Sequence, residues 1–125
     1  MAPARTFRDL LIWQKAHQFV LCVYRETEKF PRDERFGLTS QLRRSAVSIA
    51  ANIAEGFVKR GAADKLRYLN IAQGSLEESR YYLILASDLG IADVAAAGEL
   101  AAECSRMIEA CSRTLRSSID AKSER

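Results

Sequence analysis

Hydrophobic and polar residues follow a helical period over most of the chain. The pattern is clearest between Leu38 and Phe57, where Leu38, Leu42, Ala46, Ile49, Ile53 and Phe57 recur at intervals of four, four, three, four and four. On an α-helix these six residues form one apolar stripe. Val47, Ala50 and Ala54 lie beside it and widen it. The opposite side carries Gln41, Arg44, Ser48, Glu55 and Lys59, which suits water or a polar partner. Ala46, Ala50, Ala51 and Ala54 project little, so other backbones can approach closely. The stretch 38–58 therefore reads as the central helix of a bundle.

Three further helices follow from the same spacing. The first is predicted over 9–29, with Asp9 as N-cap and Pro31 ending the pattern, because the residue before proline resists helical angles. It carries two seams. Leu10, Trp13, His17, Val20, Tyr24 and Thr27 form one, and Ile12, Ala16, Phe19, Val23 and Phe30 the other. The connector FPRDERFG has Phe30 and Phe36 as aromatic anchors and room for a single helical turn. The third helix is predicted over 63–89, with Gly61 as the break before it and Asp64 in its first turn. Leu69, Ala72, Leu76, Ser79, Leu83 and Ala86 form its main stripe, and the adjoining row includes Tyr68, Ile71 and Tyr82. Gly74-Ser75 in mid-helix calls for a close crossing or a kink to offset glycine's cost of up to about 1 kcal/mol. Gly90 is a left-handed cap, and Asp93 opens a fourth helix over 94–117. Residues 118–125 read as a fraying polar tail. The predicted architecture is one all-α domain over 1–125, an antiparallel up-down-up-down four-helix bundle. The second seams on the first and third helices exceed what one bundle needs, which predicts a homo-oligomer.

Composition changes this picture little. The chain has 125 residues, 48% of them hydrophobic, enough for an ordinary core. The formal charge of +3 is too small to imply a nucleic-acid partner by itself. No apolar run resembles a signal peptide or a membrane span, so a cytoplasmic protein without a membrane partner is expected. Cys22, Cys104 and Cys111 lack metal-site spacing and read as reduced, mostly buried thiols.

The distribution of charge is more informative. From Arg43 to Arg67 there are six basic residues against two acidic ones. Arg43, Arg44, Lys59, Arg60, Lys65 and Arg67 are the candidates for contact with nucleic-acid phosphates. The alternative for Arg43, Arg44 and Arg67 is salt bridging to Glu55, Glu77 or Glu78 within or between subunits. Lys59, Arg60 and Lys65 fall in or beside a connector, where their replacement is expected to leave stability nearly unchanged. Asn52, Glu55 and Glu78 read as a polar network fixing helix register or a subunit interface, since no nucleophile or metal ligand accompanies them. His17 has no Glu-x-x-His partner and reads as a core or interface residue, and Trp13 as core. Tyr68, Tyr81 and Tyr82 suit seam packing, or stacking on unpaired bases. No catalytic residue, metal or cofactor is expected.

The segments FGLTSQLRRSAVSIAANIAEG, RYLNIAQGSLEE and LASDLG, with the opening FRDLLIWQKAHQFVLCVYRETEKFP, resemble the 23S rRNA-intervening sequence protein family. The resemblance covers roughly Phe7 to Gly90, with a generic fourth helix. It implies a five-fold ring of antiparallel four-helix bundles, a homopentamer. It further implies RNA or DNA as partner and, in one branch, an accessory role beside a reverse transcriptase. The chain departs from the family pattern at Ala50, where proline is frequent, at Gly61, where serine is usual, and at Lys65, where an aromatic is frequent.

Overall fold

The computed structural model describes residues 3–123, and among these all regular structure is helical. Four long helices follow two 3-10 turns: α1 (Leu11–Thr27), α2 (Leu38–Phe57), α3 (Ala62–Asp88) and α4 (Ala95–Ser123), with turns at Phe7–Asp9 and Arg32–Glu34. Neighbouring helices pack in a closed cycle, α1 to α2 to α3 to α4 and back to α1, and among the described residues the backbones of diagonal helices do not approach each other closely. Ser45 Oγ meets Ser79 Oγ at 2.7 Å, and Ser48 Oγ meets Ser75 Oγ at 2.8 Å. Rising numbers on α2 thus meet falling numbers on α3, the register of an antiparallel pair. The described residues form the four-helix bundle that the periodicity predicts.

The apolar stripes sit where their spacing puts them. Leu38, Leu42, Ala46, Ile49 and Ile53 are buried on α2, as are Leu69, Ala72, Leu76, Ser79, Leu83 and Ala86 on α3. The α1 seam of Ile12, Ala16, Phe19 and Val23 is buried in the core. Of the other seam, Thr27 is buried, Leu10, Trp13 and Val20 pack against the core half-buried, and Tyr24 is exposed. Trp13 has Phe7 edge-on at 5.0 Å and His17 stacked at 4.9 Å. His17 is exposed, not a core histidine. Periodicity reveals that a seam exists but not whether a partner covers it.

Helix ends account for most other differences. Asp9 does not cap α1. Its carboxylate accepts from Thr6 N and Arg5 N, closing a capping box on the first 3-10 turn, and α1 begins at Leu11. These two bonds hold the Asp9 carboxyl below its ordinary range. Gly90 has φ 69°, and Ile91 N donates to Ala86 O at 2.9 Å while Gly90 N donates to Ser87 O, a Schellman cap on α3. Asp93 accepts from Ala95 N at the start of α4. The expected fraying tail is instead helical to Ser123, because Ile119, half-buried, continues the spacing of Leu115. Glu124 and Arg125 lie outside the described residues.

Gly74 is not a close-crossing site, since a Cβ there would meet nothing within 4 Å. The close approach is at Gly56, where a Cβ would lie 2.9 Å from Tyr68 Cβ. Glycine lets the end of α2 sit directly against the start of α3.

Candidate nucleic-acid interface

The six candidate cations do not form one cluster. Arg43 and Arg44 lie in the second turn of α2, while Lys59 follows its last residue, more than 20 Å away at about 1.5 Å of rise per residue. Lys59, Arg60, Lys65 and Arg67 group at that second end.

At the α2–α3 end three of the four cations make contacts within the chain. Lys65 lies in the first turn of α3, not in the connector, and its Nζ donates to Phe57 O at 2.6 Å and to Gly56 O at 3.4 Å. Gly56 O also accepts from Lys59 N at 3.2 Å, so the ammonium chiefly serves Phe57 O and meets the negative end of the helix. Replacing Lys65 is therefore expected to cost stability, more than its place in or beside a connector suggested. Lys59 Nζ lies 5.1 Å from the Tyr68 ring centroid and Arg67 Cζ 4.8 Å from it. Arg67 also pairs with Asp64 at 3.6 Å, within the first turns of α3. Arg60 is exposed and makes no hydrogen bond or ion pair among the described residues.

The opposite end is built differently. Phe30 is buried and anchors the connector, and Pro31 leads into the turn Arg32–Glu34. The Glu34 carboxylate accepts from Leu38 N at 3.1 Å, capping α2 in place of a side chain on Gly37. Arg43 Nε donates to Thr27 Oγ1 at 2.8 Å and Nη2 donates to Tyr24 O at 3.4 Å, while its guanidinium lies 4.5 Å from the Tyr24 ring centroid. Arg43 thus ties α2 to the C-terminal end of α1, and within the chain, among the described residues, Arg43, Arg44 and Arg67 form no salt bridge to Glu55, Glu77 or Glu78. Arg44 is exposed beside it. Together with Arg35, Phe36 and Tyr24 these arginines line an open cleft of about 660 Å³ that contains no carboxylate.

Arg35 and Phe36 carry no helical period and were not candidates in the sequence. The aromatic and basic content of FPRDERFG was the available signal, but it pointed to Phe36 as an anchor. Phe36 is 87% exposed and anchors nothing.

Asn52 Nδ2 donates to Ser48 O at 2.8 Å and lies 3.0 Å from Ser48 Oγ, which itself pairs with Ser75. Asn52 therefore joins a polar contact between α2 and α3. Glu55 is exposed, and exposed Glu78 accepts from Tyr82 Oη at 2.7 Å. Among the described residues no hydrogen bond joins Asn52, Glu55 and Glu78 to one another. The interhelical register is instead held by the serine pairs. Cys22 and Cys104 are buried and Cys111 is half-buried, all as free thiols. Burial pushes the Cys104 thiol up to about 11 and raises the other two, so none is a poised nucleophile. No cluster of metal-ligating side chains occurs among the described residues, and no helix is long and apolar enough to cross a membrane.

Across its length from residue 8 to residue 113 the chain matches the family described as 23S rRNA-intervening sequence protein. The chain belongs to that family. The match passes Gly90 and takes in most of α4, the helix that looked generic. No curated protein matches the chain. A crystal structure from Bacteroides thetaiotaomicron, of a protein of unknown function from the S23 ribosomal protein family, is 26% identical with a TM-score of 0.61. It covers 87% of this chain and 98% of its own.

At the three positions where the resemblance implied other residues, the structure of this member of the 23S rRNA-intervening sequence protein family is regular. Helix α2 runs unbroken through Ala50, which is buried. Gly61 is the N-cap of α3 and supplies no side-chain cap. Lys65, in place of an aromatic, supplies the bonds that close α2.

Proposed function

We propose that this protein is a non-enzymatic, homo-oligomeric nucleic-acid-binding or accessory protein. In this reading phosphates are held at the end of the bundle where α1 meets α2. The observation that carries it is the cleft lined by Arg35, Arg43 and Arg44 with no carboxylate among its lining residues. Arg43 is held by Thr27 and Tyr24, so it adds fixed positive potential, while exposed Arg35 and Arg44 are free to reach phosphate oxygens. The other four candidate cations are mostly engaged by α2, Tyr68 and Asp64, which makes them poorer phosphate ligands. The family description, with its reference to an rRNA intervening sequence, is in keeping with this reading.

A second observation favours self-association. Phe7, Trp13, Val20, Val47, Ala50 and Ala54 are among the residues lining a shallow, mainly apolar groove between α1 and α2. A ring of copies, five in the resemblance, would cover such a face and repeat the arginine cleft around it. A protein-only scaffold is the rival reading.

Binding to RNA and to DNA at about 50 and 200 mM salt separates the two. The nucleic-acid reading expects affinity to fall steeply as counterions are no longer released. Absence of binding at the lower salt favours the scaffold. Light scattering is expected to return a multiple of the 14.0 kDa chain mass.

A further inference from the structure

Within the arginine cleft, one side chain is not explained by the fold. Phe36 is 87% exposed, the highest exposure among the large hydrophobic residues. An apolar ring of this size is ordinarily turned inward, and the adjacent Phe30 in the same connector is. Nor is Phe36 on a loosely tethered loop. Glu34 N donates to Pro31 O at 3.0 Å, Arg35 N to Arg32 O at 3.0 Å and Gly37 N to Glu34 O at 3.1 Å, and the Glu34 side chain binds the start of α2. The backbone on both sides of Phe36 is thereby fixed, and the ring is presented at the edge of the cleft.

The Arg35 guanidinium lies 5.4 Å from the Phe36 ring centroid, and the ring is otherwise open to solvent. Arg44 lines the same cleft, as does Tyr24. Its volume of about 660 Å³ lies within the usual 300–1,000 Å³ of sites for small organic ligands. An aromatic face flanked by arginines, without acidic residues in the lining, matches a chain of bases and phosphates.

We propose that this cleft recognises unpaired polynucleotide, with one base stacked on the open face of Phe36 and its neighbouring phosphates on Arg35 and Arg44. The inference rests on the nucleic-acid reading above and adds the form of nucleic acid. In a duplex every base face is already covered by its neighbours, so Phe36 would gain nothing from it and only the phosphate contacts would remain. In a single strand each base has a π-face available, and stacking is tolerant of sequence. Phosphate contacts alone predict no such preference, since their strength follows charge density, which is higher on a duplex.

The test compares a single strand of about 12 nucleotides with the duplex of the same sequence, as RNA and as DNA, by fluorescence anisotropy at low salt. Wild type is expected to favour the single strand. Phe36→Ala is expected to weaken single-strand binding about tenfold, leave duplex binding within about twofold, and leave the salt slope unchanged. Phe36→Trp is expected to retain the preference. The RNA and DNA arms show which backbone the cleft takes, and binding of either single strand supports the proposal. Because Phe36 is exposed, thermal melts of the variants are expected to superimpose on wild type. Equal binding of single strand and duplex, unaltered in Phe36→Ala, overturns this inference while leaving the nucleic-acid reading in place. No binding of any form overturns that reading as well. A lower oligomer mass for Phe36→Ala by light scattering would place the ring in a contact between copies and overturn the base-stacking role.

Discussion

The two ends of α2 carry similar side chains and use them in opposite ways. At the C-terminal end two lysines, an arginine and a tyrosine gather beside the helix terminus. Lys65 donates to Phe57 O and Gly56 O, and Lys59 and Arg67 flank the Tyr68 ring. At the N-terminal end a carboxylate, Glu34, does the capping, so the cations are not needed there. One arginine, Arg43, ties α2 to α1, and Arg35 and Arg44 remain turned to solvent around Phe36 and Tyr24. The polarity of the helix explains the contrast. Carbonyls at a C-terminus attract cations, whereas amides at an N-terminus attract carboxylates. Basic residues near the end of a helix are therefore weaker candidates for phosphate binding than those near its start.

The frame shared by both ends can be broken at its centre. Ile49 is fully buried midway along α2, and Ile49→Asp would place an unpaired carboxylate there at a cost of several kcal/mol. Loss of the cooperative circular-dichroism melt is the expected result, together with loss of every property of either end.

Gly56 tests how tightly the C-terminal end is built. A Cβ at Gly56 would sit 2.9 Å from Tyr68 Cβ, which is not the movable tip of a side chain. Overpacking of this kind costs about 1–3 kcal/mol, against a gain of up to about 1 kcal/mol from replacing glycine in a helix. Gly56→Ala is therefore expected to destabilise by about 1–2 kcal/mol in urea unfolding. Gly74→Ala, with open space at its Cβ, is expected to stabilise by about 0.5–1 kcal/mol. The same substitution thus changes sign between two glycines.

Lys65→Met removes the cation from the end of α2 and keeps most of its apolar stem. The expected loss is about 1 kcal/mol in the same assay, from the Phe57 carbonyl left without its donor. Arg60→Ala, a few residues away on an exposed side chain, is expected to change stability by less than about 0.5 kcal/mol. Equal effects of the two would remove the distinction between a capping cation and a surface one.

Much of this arrangement was legible in the sequence because burial in a bundle follows periodicity. The six-residue stripe of α3 is buried throughout, and Gly90 and Asp93 cap as their residue types predict. Connectors have no period, so Arg35 and Phe36 gave no signal beyond composition. The role of Lys65 gave no signal for a different reason. The predicted third helix already held it, but only the packing of α3 against the end of α2 brings its ammonium to Phe57 O. The end of α4 was underestimated because the serines before Ile119 obscured one more step of its apolar spacing. Charge count grouped six cations that the antiparallel helices separate.

The central claim is that phosphates bind at the N-terminal end of α2 and not at its C-terminal end. It is tested most directly by the salt dependence of RNA binding for two double variants. Arg35→Ala with Arg44→Ala removes the exposed pair of the cleft, and Lys59→Ala with Arg60→Ala removes two cations beside Tyr68 while sparing Lys65. The first is expected to flatten the slope of log affinity against log salt by about two units, and the second to leave it within about half a unit of wild type. The reverse pattern, with the slope lost only in the Lys59 and Arg60 variant, would contradict the account.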